Sequence, residues 1–263
     1  MRAQLPGLTM AYEANGSGRP LLWLHGFPLS RRIWQPQLEG LLDAAWMVAP
    51  DLRGHGETDA SEGVYSMEQI ADDAAALLEA LGITQPVVVG GLSMGGYAAL
   101  AFYRKYRQRV AGLILASTRA GADSAEGRAG REKSAANARE KGAGAIADAM
   151  LPKMFAPRTY ANNPDLVHRL RHIMAGTSVP GLVGSLLGIR DRPDSTPLLA
   201  EIDRPVLVVH GAEDQLIPPS EAEAMHGALP DSRLELVPGA GHLVNMEQPA
   251  SFNAAVRTFL QSL

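Results

Sequence analysis

Gly91-Leu92-Ser93-Met94-Gly95 sets a serine between two glycines, directly after the apolar stretch 86–90 and before a helix-like stretch that begins near Gly96. A G-x-S-x-G corner between a strand and a helix lifts its serine out as a nucleophile for carbonyl carbon. The glycines fit because such a turn is tight and strained, and a side chain at Gly91 or Gly95 would meet a neighbouring strand or helix. A serine hydroxyl is a weak nucleophile near neutral pH, so it requires a base within hydrogen-bond reach and a third group that holds the base's tautomer. His242 suits the base: it sits in Pro238-Gly-Ala-Gly-His-Leu, a glycine-rich loop after the strand-like 234–237. Asp214, in His210-Gly-Ala-Glu-Asp after 206–209, holds the matching place for the acid; Glu213 beside it and Asp51 after 46–49 are the competing carboxylates. The chain order is Ser93, Asp214, His242.

The remaining histidines read differently. His25, His55 and His210 lie in turns and are expected to be hydrogen-bonded structural residues, with His25 also bordering the reaction site. His168 and His172 have the i, i+4 spacing of a helical metal pair, but only Arg-Leu-Arg lies between them, without a glutamate base or third ligand, so no metal is expected. The chain has no cysteine, which excludes thiolate nucleophiles, disulfides, zinc–thiolate and iron–sulfur centres. Its formal charge is −4, so it lacks the basic field that captures nucleic acid or anionic membrane. With no leader-like apolar run and no stretch of membrane-spanning length, the expectation is a cytoplasmic protein acting on a small molecule without a cofactor, alone or as a homo-oligomer.

These residues need a scaffold that brings three distant turns together. Short runs that are apolar throughout, at 21–24, 46–49, 87–89, 112–116 and 206–209, predict strands covered on both faces of a parallel sheet. Between them, 67–81 predicts an amphipathic helix with Ile70, Ala74, Leu77, Leu78 and Leu81 on one stripe, Ser66 as N-cap and Gly82 as stop. Such alternation predicts an α/β fold, a mostly parallel sheet flanked by helices, with ligands at the carboxyl ends of the strands. From 119 to 197 the rhythm breaks into helical, Ala- and Arg-rich sequence, which predicts a helical cap inserted into a core made of 1–118 and 198–263. Its charges at Arg131, Glu132, Lys133, Arg139, Glu140 and Lys141 read as a solvated helix face.

Over essentially its whole length the chain resembles the α/β-hydrolase fold enzymes. The resemblance selects Asp214, in the pattern H-G-x-x-D, as the acid. It also likens His25-Gly26-Phe27-Pro28 to the family's HG-x-P turn, which implies an oxyanion hole built from the backbone N–H groups of Phe27 and Met94. Asp51-Leu-Arg-Gly-His-Gly resembles a structural turn of the family. Because Ser93 stands where epoxide hydrolases and haloalkane dehalogenases carry aspartate, the resemblance implies a serine hydrolase of carboxylic esters. Lactonases, C–C bond hydrolases, acyl-carrier thioesterases and cofactor-free perhydrolases share the same triad, and a non-catalytic ligand-binding role is the remote alternative. The expected substrate-binding residues are His25, Gly26, Leu29 and Trp34 near the oxyanion turn, with Met154 and Phe155 in the insertion. Few aromatics there imply a modest apolar pocket for short or medium acyl chains. Met150, Met154, Met174 and the leucines around them are either that pocket's lining or ordinary cap core.

Overall fold

The computed structural model describes residues 1–263. Its strands are β1 (Arg2–Leu5), β2 (Leu8–Gly16), β3 (Pro20–Leu24), β4 (Trp46–Pro50), β5 (Val87–Leu92), β6 (Val110–Ala116), β7 (Val206–Gly211) and β8 (Ser232–Val237). They form one sheet in the order β1-β2-β4-β3-β5-β6-β7-β8. β1, β2 and β4 pair antiparallel, and every pairing from β4 through β3 to β8 is parallel.

The parallel strands are apolar runs because both their faces are covered. Successive residues alternate between two cores: Leu22, Leu24, Val87 and Val89 enter one, and Leu21, Trp23 and Val88 the other. The second core is anchored by Trp23 stacked on Trp34, ring centroids 4.4 Å apart. The predicted helix forms as Met67–Ala80; Ser66 accepts the Gln69 N–H at 3.1 Å, and Gly82 follows at φ +67°. The β1–β2 hairpin is an addition to the sequence reading. Pro6-Gly7, with Gly7 at φ +71°, makes its turn, and β1 is buried only at alternate residues. A search for wholly apolar runs does not detect such a half-exposed edge.

The chain runs from β3 outward to β4, then returns across β3 to β5. The order reverses there, so a crevice opens at the carboxyl ends of β3 and β5, where an α/β sheet binds its ligands. Those two ends carry His25-Gly26-Phe27 and Ser93.

Between β6 and β7 the chain is helical and strandless, with Ala125–Met150, Pro157–Asn162, Pro164–Ala175, Val179–Asp191 and Thr196–Leu199. The first helix breaks at Gly142, φ +74°. The segment is bonded onto core loops: Ser178 Oγ donates to Gly54 O (2.8 Å), Thr177 Oγ1 to Pro28 O (3.0 Å), and Tyr65 N–H to Gly184 O (3.0 Å). No single helix of the protein is long and apolar enough to cross a membrane.

Candidate active site

Ser93 sits at φ +55°, ψ −115°, between the last residue of β5 and the first of the helix Met94–Tyr106. A left-handed serine costs on the order of 1–3 kcal/mol and persists only where its surroundings over-determine it. They do: Ser93 N–H donates to Ala116 O (2.9 Å), and its carbonyl accepts from Gly96 N (2.8 Å) and Thr118 Oγ1 (2.8 Å). The flanking glycines are required by contact. A Cβ on Gly91 would lie 2.1 Å from Gly95 O, and one on Gly95 would lie 2.0 Å from Leu24 O in β3. Met94 opens the helix, so its N–H has no carbonyl a turn earlier to serve and adds to the positive end of the helix dipole.

Two loops, after β7 and β8, carry Asp214 and His242, the candidate acid and base. They are tied together by Glu213 N–H to Ala240 O (2.9 Å), and Gly211 packs so tightly on Gly241 that a Cβ there would lie 2.0 Å from Gly241 O. Asp214 is buried; Glu213 beside it is exposed. Asp214 Oδ1 accepts the Leu216 and Ile217 N–H groups at 2.8 and 3.0 Å, and Oδ2 lies 2.8 Å from His242 Nδ1. Burial alone would push this carboxyl up, but electrostatic attraction to His242 and the hydrogen bonds from His210, His242 and Ile217 outweigh it and hold it well below the usual carboxylate range. With Nδ1–H directed at the carboxylate, His242 offers Nε2 to the cavity it shares with Ser93.

The other candidate groups are engaged elsewhere. Asp51, fully buried, accepts from Arg31 N (2.7 Å), Glu57 N (2.8 Å) and the Arg31 guanidinium, which makes it the anchor of its own turn. His25 Nδ1 donates to Gly26 O (2.8 Å) and Nε2 accepts the Leu52 N–H (2.9 Å); His55 Nδ1 donates to Arg53 O (2.9 Å). Burial lowers these two imidazoles to about 4 and about 3, so both are neutral. His168 and His172 are exposed.

Phe27, Ser93, Met94 and His242 line one small cavity of about 90 Å³. Gly26 holds the oxyanion turn against the corner; a Cβ there would lie 3.2 Å from Ser93 Cβ. His25, Gly26, Leu29, Trp34, Met154 and Phe155, expected to bind substrate, are absent from the lining. Leu29 and Trp34 are wholly buried in the Trp23 core. Met154 and Phe155 form a seam between the insertion and the His242 loop, where Leu243 N–H donates to Met154 O (3.1 Å). For Leu29, Trp34, Met154 and Phe155, apolar character alone does not distinguish a pocket wall from a core contact.

The walls come instead from Met150 and Ile189 of the insertion, from Leu216 and Ile217 beyond Asp214, and from Tyr97, Arg119 and Arg131. Of these the sequence points only to Met150, among the methionines of 119–197, and to Arg131, for a different role. Arg131, expected on a solvated face with Glu132 and Lys133, turns inward to this cavity, whereas those two neighbours are exposed. The available signal was position: Arg119 and Ile217 each lie a few residues past the carboxyl end of a strand.

Comparison with known proteins shows the family and fold of the chain. The sequence profile described as the alpha/beta hydrolase family matches residues 21–255. A thermophilic esterase from Thermogutta terrifontis, solved with malate bound, is 43% identical, with a TM-score of 0.97, covering 100% of this chain and 98% of that one. The enol-lactonase from Burkholderia xenovorans LB400 is 27% identical with a TM-score of 0.92, covering 99% and 100%. The 3-oxoadipate enol-lactonase 2 of Acinetobacter baylyi is 29% identical over 261 residues, 99% of this chain and 96% of that protein.

Proposed function

The chain belongs to the alpha/beta hydrolase family, and from that premise we propose that it is a serine esterase acting on small-molecule carboxylic esters through an acyl-enzyme. The observation that carries this reading is the 2.8 Å bond between His242 Nδ1 and buried Asp214, in a histidine that shares its cavity with Ser93. Ser93 Oγ attacks the ester carbonyl carbon while His242 Nε2 takes its proton. The carbonyl oxygen becomes an oxyanion held by the N–H groups of Phe27 and Met94, each worth about 3 kcal/mol in the transition state. Collapse breaks the bond to the alkoxy oxygen, which leaves as alcohol with the proton from His242. Water, deprotonated by the same Nε2, attacks the acyl-enzyme, and the acid departs as Ser93 regains its proton. Asp214 stays ionised throughout and stabilises the imidazolium.

The cavity's limited volume and its walls of Met150, Ile189, Leu216 and Ile217 favour short to medium acyl chains. A p-nitrophenyl ester series from acetate to palmitate, assayed without added metal on the wild type and Ser93→Ala, tests the reading. Turnover of the shorter esters that is lost in Ser93→Ala is expected; activity retained in the variant would refute it. Lactone hydrolysis is the second reading, supported by two matched relatives that are enol-lactonases. A lactone is an internal ester and requires the same groups, so a parallel assay on unsubstituted γ- and δ-lactones separates the two.

A further inference from the structure

Three guanidinium groups converge on one carboxylate at the edge of the Ser93 cavity. Asp123 Oδ1 receives Arg119 Nη2 (2.5 Å) and Arg192 Nη1 (2.8 Å), and Oδ2 receives Arg131 Nε (3.0 Å). The Asp123 side chain is 1% exposed and that of Arg192 3%, while Arg119 and Arg131 keep 27% and 31%. The cluster therefore carries two formal positive charges in excess, although the whole chain is net negative. Arg192 is the structural member: it is bonded to Ile189 O and Gly121 O and lies 4.1 Å over the Tyr97 ring. Its pairing alone would satisfy Asp123. Arg119 and Arg131 add charge that the fold does not need, and both face the cavity.

Their bonding capacity is also unfilled. Arg119 uses Nη2 on Asp123, and its buried Nε has no partner; Arg131 uses Nε, and its two terminal nitrogens make no hydrogen bond within the protein. Glu221 also acts on Arg119 through space, without a hydrogen bond. Arg119 is held close to Ser93 in the chain, because the hydroxyl of the preceding Thr118 donates to Ser93 O at 2.8 Å. Charge-assisted hydrogen bonds from planar guanidinium groups in a partly dehydrated site recognise carboxylates.

We propose that Arg119 and Arg131 form an anion-recognition wall, so that the preferred substrates are monoanionic esters carrying a free carboxylate a short chain from the scissile bond. This deepens the ester-hydrolase reading and rests on it for its chemistry. Asp123 is then a positioning residue that aims the two guanidinium groups without neutralising them.

The test compares isosteric pairs that differ only in charge: monoethyl adipate with its primary amide, and 4-acetoxybutanoate with 4-acetoxybutanamide. In at least one pair the acid is expected to exceed the amide in kcat/KM by about tenfold or more. Arg131→Met should bring that ratio close to one, and Arg131→Lys should restore part of it. Calorimetric titration with adipate, expected to bind wild type and to weaken at least about tenfold in Arg131→Met, reads the site independently of turnover. Adipate binding that Arg131→Met abolishes, in a protein inactive on every ester, would uphold the anion site and sink the esterase chemistry. Equal turnover of acid and amide in both pairs, or a ratio unchanged in Arg131→Met, would overturn the anion site and leave the esterase standing.

Discussion

His210 Nε2 lies 3.3 Å from Asp214 Oδ2 and 2.9 Å from Ile217 O. Both neighbours are acceptors, so this nitrogen bears the proton, donates a hydrogen bond to Ile217 O and presents its N–H close beside the Asp214 carboxylate. Asp214 thus accepts from His242 and two backbone N–H groups, with the His210 N–H alongside. Its negative charge, the feature on which His242 depends, is secured from every side.

Asp214→Asn tests that dependence. An asparagine can still accept the Leu216 and Ile217 N–H groups through Oδ1, but its amide would face His242 Nδ1 and force the imidazole into the wrong tautomer. On ester substrates kcat should fall by about 10⁴-fold with little loss of structure. Burst kinetics with p-nitrophenyl acetate and circular dichroism check the two halves of this expectation.

The nucleophile corner predicts a steric asymmetry among glycines. Gly95→Ala forces a Cβ to 2.0 Å from the backbone of β3, and neither side is a flexible side chain. The expected cost is about 3 kcal/mol or more, roughly 6–12 °C in Tm for a chain of this size. Gly130→Ala, in the helix Ala125–Met150 with nothing within 4 Å of the added carbon, should be neutral or stabilising by up to about 1 kcal/mol. Thermal unfolding of both variants measures the contrast.

Glu247 clasps the His242 loop to the insertion. Its Oε2 accepts Gly241 N–H at 2.5 Å, and Oε1 accepts Ala156 N–H (2.8 Å) and Thr159 Oγ1 (2.6 Å). Glu247→Ala leaves two backbone donors without a partner, at about 1–3 kcal/mol each, and frees the residue next to His242. Stability should drop, and kcat should fall between about ten- and a hundredfold through misplacement of the imidazole. A variant matching the wild type in both Tm and kcat would refute the clasp.

Acid should destabilise the protein from a well-defined pH. His25 and His55 titrate near 6.5 when unfolded and are lowered to about 4 and about 3 in the fold, chiefly by burial. Between those values the unfolded chain binds more protons, so stability is full above pH 6.5 and drains as pH falls toward 4. Asp214, with its carboxyl depressed, adds a loss below the ordinary carboxylate range. Burial raises Asp73 and Glu247, whose contributions run the other way, with stability falling as pH rises through their titration. The net expectation is a Tm that is level from pH 8 to 7 and falls steeply between 6 and 4. A Tm unchanged down to pH 4.5 would contradict the neutral buried pair.

The features legible in the amino-acid sequence are those set by local physics. A strand buried on both faces must be apolar throughout, so 21–24, 87–89 and 206–209 announced β3, β5 and β7. A serine at positive φ between a strand and a helix leaves no room for a side chain on either flank, so Gly91 and Gly95 marked Ser93. The half-exposed β1–β2 hairpin lacked such a signature. The cavity was decided by the tertiary structure alone, because its walls join segments that the fold brings together from far apart in the chain. Arg119 and Arg131 reach the same space as Leu216 and Ile217, while Leu29, Trp34, Met154 and Phe155, no less apolar, are drawn into other interfaces. Side-chain type sets the energy of burial, whereas only packing sets which surface does the burying.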